Sequence, residues 1–138
     1  MGAWGIGLFD NDDAADWGGD LDEQEDRLGF VAATFDTVSD ADPFLEVADA
    51  NSAIAAAAWL VAGLPDNPVP ESTYAPESPP PADSPAVRAL AARAVPVLQR
   101  VLGEDSEWLD LWAESGDDGP PTAVRELVSY LGGLSNPA

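Results

Sequence analysis

Carboxylates are the only side chains in this sequence from which acid–base or metal chemistry could be assembled. The 138 residues hold 26 aspartates and glutamates against five arginines, with no lysine, histidine or cysteine. That inventory removes Ser-His-Asp and Cys-His sites, Schiff-base lysines, histidine- or thiolate-ligated zinc and lysine phosphate clamps. Paired acids of the kind that hydrolyse glycosidic bonds remain, as does a divalent cation held by oxygen ligands and activating water. Asp12 with Asp16, and Asp16 with Asp20, are such pairs, but where nearly one residue in five is acidic they also arise by chance. The run Asp10-Asn11-Asp12-Asp13 invites comparison with a calcium loop, and the spacing fails. An EF-hand loop opening at Asp10 needs an oxygen side chain at its fifth position, glycine at its sixth and glutamate at its twelfth, where this sequence has Ala14, Ala15 and Leu21. Helix capping accounts better for these acids. Gly5 and Gly7 resemble a fragment of a phosphate-binding loop, yet no strand precedes them, no lysine follows and the acids beyond them repel phosphate. We therefore assign no catalytic residue, no metal ligand and no cofactor. A carboxylate-based, divalent-metal-dependent hydrolase stays as the enzymatic alternative.

The net charge of -21 carries more information than any single pair. Such a field repels phosphate backbones and anionic lipid headgroups, which argues against direct nucleic-acid or membrane binding. It is also uneven: residues 1 to 50 hold fourteen acids and one arginine, a net of -13. A cluster of that density steers a basic protein toward it, with an affinity that falls as salt rises, and it can imitate nucleic-acid phosphates. The candidate contact residues are Asp10, Asp12, Asp13, Asp16, Asp20, Asp22 and Glu23. To these we add Trp108 and Trp112, one helical turn apart inside a rim of Glu104, Asp105, Glu107, Asp110 and Glu114, because tryptophan is enriched at interface hot spots. A merely solvated acidic surface, with the tryptophans in the core, is the alternative. Oligomeric state is left open.

The opening holds Trp4, Phe9 and Trp17 among glycines and acids, so Trp4, Gly5, Gly7, Phe9, Asn11 and Trp17 read as a structural motif that ties the chain start into the core. A small-ligand pocket lined by these rings is the competing reading. The start lacks a signal-peptide pattern, no apolar run approaches the roughly 20 residues of a bilayer span, and Ile6 stands where a myristoylation motif wants Ser or Thr. The expected location is cytoplasmic. Abundant Ala, Gly and Pro, with arginine in place of any Lys, points to a GC-rich, bacterial genome.

The elements that must position these residues are helical. A first helix is expected from about Asp12, ended by Gly18-Gly19, because glycine costs about 1 kcal/mol relative to alanine inside a helix and adopts C-cap geometry readily. A second runs from about Glu23, with Leu28, Val31, Ala32 and Phe35 on one face, although Gly29 to Thr37 could also form a strand. Asp42-Pro43 signals a helix start leading through Phe44, Leu45 and Val47. Residues 49 to 62, apolar all round, suit a central helix. Between Leu64 and Pro85 stand eight of the thirteen prolines, a composition that cannot sustain helix or sheet and reads as a surface connector pinned by Tyr74, with a proline-recognition ligand as alternative. Ser84-Pro85 then caps an amphipathic helix ending at Gly103, which should bend or split at Pro96. Two more helices are expected, from about Asp105 to Ser115 and from about Pro121 to Leu131. The sum is one all-α domain over residues 1-138, five to six short helices with a proline-rich surface connector at 64-85.

The opening pattern Gly2-x-Trp4-Gly5-x-Gly7-x-Phe9-Asp10-Asn11-Asp12-x-Ala14-x-Asp16-Trp17 resembles the N-terminal signature of a bacterial family known as domain of unknown function 4259. The similarity extends through the alanine-rich stretch Ala53 to Ala62 and the segment Trp108 to Ser115, covering most of the chain except the proline connector. The resemblance implies a small, soluble, acidic protein and carries no activity, substrate, cofactor or catalytic residue.

Overall fold

Fifteen residues from Val47 to Val61, carrying a single charge at Asp49, form the helix on which the others are built. The computed structural model describes residues 12–69 and 76–135. Its helices are α1 (Asp12–Asp22), α2 (Arg27–Ser39), α3 (Val47–Val61), α4 (Pro85–Val101), α5 (Glu107–Ser115) and α6 (Gly119–Ser135). Among the described residues there is no strand, only an isolated parallel bridge between Leu45 and Ser106. The fold is all-α. Trp4, Gly5, Gly7, Phe9, Asp10, Asn11 and Tyr74 lie outside the described residues.

Helix α3 is packed against α1, α2, α4 and α5. Its alanines at 53 and 55 to 58 are fully buried, so its small side chains let neighbouring helices approach closely while Ile54, Trp59, Leu60 and Val61 supply the area. Helix α4 bridges α2, α3 and α6, and Leu98, Leu127 and Leu131 close that side of the core. Trp17 stacks on Phe30 at 5.6 Å and its indole N–H donates to Thr34 Oγ1 at 2.8 Å, which fastens α1 to α2.

Local side-chain caps set the starts of α2, α4 and α5. Ser84 accepts from the N–H of Val87 at 3.2 Å ahead of Pro85, and Ser106 accepts from Leu109 at 3.3 Å, so α5 starts at Glu107, two residues later than expected. Pro96 does not divide α4; it sits on the exposed side of the helix, while Ala94, Val97 and Leu98 face inward. Helix α2 starts later than expected because Asp26, not a residue near Glu23, accepts from the N–H of Gly29 at 2.9 Å. The strand alternative at Gly29 to Thr37 falls inside this helix. Helix α6 runs longer than its apolar stripe, from Gly119 to Ser135.

Two expectations are overturned. Gly18-Gly19 does not end α1, which continues to Asp22. A Cβ at Gly18 would stand 3.3 Å from Pro76 Cγ, so this glycine admits a neighbouring segment, while burial of Trp17 and Leu21 on either side holds the helix together. Nor does Asp42-Pro43 start a helix through Phe44 and Leu45. The N–H of Leu45 instead donates to the carbonyl of Asp105 at 2.8 Å, its carbonyl accepts from Glu107 at 3.0 Å, and its side chain is fully buried. A long-range pairing that seats a leucine in the core prevails over a local start signal.

Of the proline-rich stretch at 64-85, the described residues form neither helix nor strand between Pro65 and Ser84. They are anchored at defined points. Asn67 donates to the carbonyl of Leu64 at 2.7 Å, Tyr130 donates to that of Pro65 at 2.7 Å, and the indole of Trp59 donates to that of Ser78 at 3.0 Å.

Candidate functional site

Helix α1 sorts the N-terminal acids into two groups. Its inward face is Ala14, Trp17, Gly18 and Leu21, so 3.6-residue periodicity turns Asp12, Asp16 and Asp20 outward at i, i+4 and i+8, with Glu23 following. All four are exposed and line one side. Asp13 and Asp22 have internal duties. Asp13 accepts from the Asn51 side chain at 3.0 Å, which ties the first turn of α1 to α3. The two oxygens of Asp22 accept from the N–H groups of Ser78 at 2.8 Å and Glu77 at 3.1 Å. Partial burial works to raise the Asp22 pKa, but the Ser78 hydroxyl, the two N–H groups and the positive charge of Arg27 outweigh it and hold the carboxyl below its ordinary value.

The tryptophan pair is only partly available. Trp108 is 4% exposed, and Trp112, half-buried, meets it edge-on with ring centroids 6.5 Å apart. Trp17 is core, with its N–H satisfied by Thr34. The exposed large hydrophobics among the described residues are instead Phe44 and Leu111, each 47% exposed, and sequence reasoning did not single out either. Period-two alternation next to a buried Leu45 is the signal that turns Phe44 outward, and it was hidden by the helix-start reading of Asp42-Pro43.

Cations do little to neutralise this surface. Arg88 forms a bidentate pair with Asp83 at 2.8 and 2.7 Å, and Arg93 pairs with Asp36, joining α4 to α2. Arg27 donates to the carbonyl of Asp22 at 3.3 Å. Arg100 donates to the carbonyls of Glu104, Pro43 and Asp105 at 2.7, 3.2 and 3.3 Å. Among the described residues only Asp83 and Asp36 are in an ion pair. No cluster of three or more His, Cys, Asp or Glu side chains among these residues is arranged to hold a metal ion, and no helix there is long and apolar enough to cross a membrane.

Comparison with known proteins is consistent with the opening pattern. The family model described as a domain of unknown function (DUF4259) matches residues 2–123, and the chain belongs to that family. The matched span crosses the proline-rich stretch and ends inside α6. No curated protein and no solved structure matches the chain.

Proposed function

We propose that this member of the DUF4259 family is a non-catalytic, cytoplasmic interaction domain that binds a basic protein through its acidic surface, as a toxin-neutralising immunity protein or nucleic-acid mimic does. The observation that supports this reading is the exposed row Asp12, Asp16, Asp20 and Glu23, which no ion pair among the described residues offsets. Carboxylates spaced about one helical turn apart on a rigid element add their fields, and that field reaches about 8 Å into solvent at physiological ionic strength. It raises the encounter rate with a cationic partner and disfavours anionic ones.

The test is capture of partners from a lysate at low and high salt, followed by calorimetric titration of the captured protein. A basic partner is expected, bound more weakly as salt rises. The triple variant Asp12→Asn, Asp16→Asn, Asp20→Asn should weaken it by about tenfold, since exposed ion pairs contribute about 0.5 kcal/mol each. Capture of no basic protein, or an affinity indifferent to salt, would overturn the proposal.

A further inference from the structure

Exposed acids are spread over this molecule and do not by themselves select the surface that a partner grips. Apolar groups do. Phe44 immediately precedes Leu45, whose backbone pairs with Asp105 and Glu107, and Leu111 stands one helical turn beyond Glu107. The two exposed large hydrophobics among the described residues are thus carried by the two segments that the Leu45–Ser106 bridge holds together. That junction is rigid: Leu45 and Ser106 are fully buried, and the Glu107 side chain accepts from the N–H of Val47 at 2.8 Å, so α5 itself caps α3.

Around these anchors acids outnumber cations six to one. Asp42, Glu46, Glu104, Asp105, Asp110 and Glu114 are all exposed. The arginine at the junction, Arg100, spends its guanidinium on three backbone carbonyls. A second copy of this chain would bring its own charge of -21 onto these acids, and an anionic lipid surface would be repelled in the same way. The complement of two apolar anchors in a negative rim is an apolar residue flanked by lysine or arginine.

Resting on the proposed partner-binding function, we infer that the Phe44–Leu111 junction, not α1, is the docking point, and that its occupant is a basic amphipathic segment of the partner protein. The apolar anchors supply short-range affinity and the acids supply orientation and on-rate, while α1 contributes to long-range attraction.

The probe is a helical peptide of about four turns with leucine on one face and lysine on the other, compared with a peptide of the same lysines carrying glutamine in place of leucine. Affinity is read by calorimetry at low ionic strength and location by amide shifts of the isotope-labelled full chain. Preferential binding of the leucine peptide, with shifts at residues 44–46 and 107–112 and a loss of about tenfold or more in the Phe44→Ser, Leu111→Ser double variant, is the expected result. Both side chains are exposed, so that variant tests binding without emptying the core. Equal binding of the two peptides with shifts confined to Asp12 through Glu23, or a double variant that binds the leucine peptide unchanged, would overturn the inference and leave the acidic-partner reading standing. Binding of neither peptide would overturn the inference, while the partner-binding function is decided separately by the lysate capture.

Discussion

Asp22 is the acid whose removal has the most readable consequence. As the last residue of α1 it sits where the helix dipole disfavours a negative charge, and it is retained there by the N–H groups of Glu77 and Ser78 at 3.1 and 2.8 Å. Ser78 in turn offers its carbonyl to the Trp59 indole, so this carboxylate fastens the 77–78 backbone to both α1 and α3. Hydrogen bonds to a charged group contribute roughly 1.5–3 kcal/mol each when buried, and solvent screening at this half-exposed site reduces the pair to about 1–2 kcal/mol in all. Asp22→Ala should lose that amount. Asp22→Asn keeps one acceptor oxygen and points an amide donor at a second N–H, so about half is lost. Deleting any carboxylate also relieves self-repulsion, and Asp20→Ala, which removes an exposed charge two residues earlier, supplies that baseline. Urea unfolding followed by circular dichroism gives the differences. Because the folded-state pKa lies below the unfolded value near 3.8, the stabilisation is complete above that value and disappears as pH falls through the folded pKa. The gap between wild type and Asp22→Ala should therefore be flat from neutral pH down to about 5 and shrink below about 4. A variant as stable as Asp20→Ala at neutral pH, or a gap that widens in acid, would refute the reasoning.

Two further stability predictions follow from the same packing. Gly19→Ala, with no atom within 4 Å of the new Cβ, should stabilise α1 by about 1 kcal/mol, whereas Gly18→Ala should recover less than half of that because its Cβ would meet Pro76 at 3.3 Å; thermal unfolding of the two variants decides. Glu107→Ala should cost about 1 kcal/mol in urea unfolding by leaving the N–H of Val47 without its acceptor, while Glu107→Gln, which keeps a carbonyl oxygen there, should fall within a few tenths of wild type.

The helices that are legible in the sequence are those whose signals are local. Ser84-Pro85 caps α4 from one residue away and its apolar stripe persists to Val101, so both ends are readable. Helix α3 is readable as the centre because nothing in it wants water except Asp49 and its neighbours at the first turns. The starts of α2 and α5 lie a few residues past their expected positions although their caps, Asp26 and Ser106, are local; the other ends that differ depend on partners far along the chain. Gly18 is explained by Pro76, the start of α3 by Glu107, and the extended backbone at Leu45 by Ser106. The site divides in the same way. Charge is additive and can be counted from composition, but whether a carboxylate is free depends on what meets it. Asp13 and Asp22 look like Asp12 and Asp20 in sequence, and the fold turns the former two inward to Asn51 and to the 77–78 backbone. The exposure of Phe44 and Leu111 is illegible for a related reason, since an apolar residue reads as core unless its neighbour occupies the core instead.

That all the cations are arginine bears on what the acidic surface can do. A guanidinium offers five donors in a planar fork and can satisfy several acceptors at once, which a lysine ammonium does with less geometric definition. Arg100 uses this to gather three carbonyls at the junction, Arg93 to join α4 to α2, and Arg88 to grip Asp83 with two bonds. Four of the five arginines thus hold backbone or helices in place, and most carboxylates among the described residues are left to water. Those carboxylates repel one another in the folded state, a cost that burial of the alanine-rich centre and its leucines has to exceed. Screening by salt lowers that repulsion and in the same step weakens attraction to a cationic partner. The same acids therefore respond to ionic strength in opposite senses, favouring the fold and disfavouring the complex, which separates a surface built for a partner from one whose charge serves solubility alone.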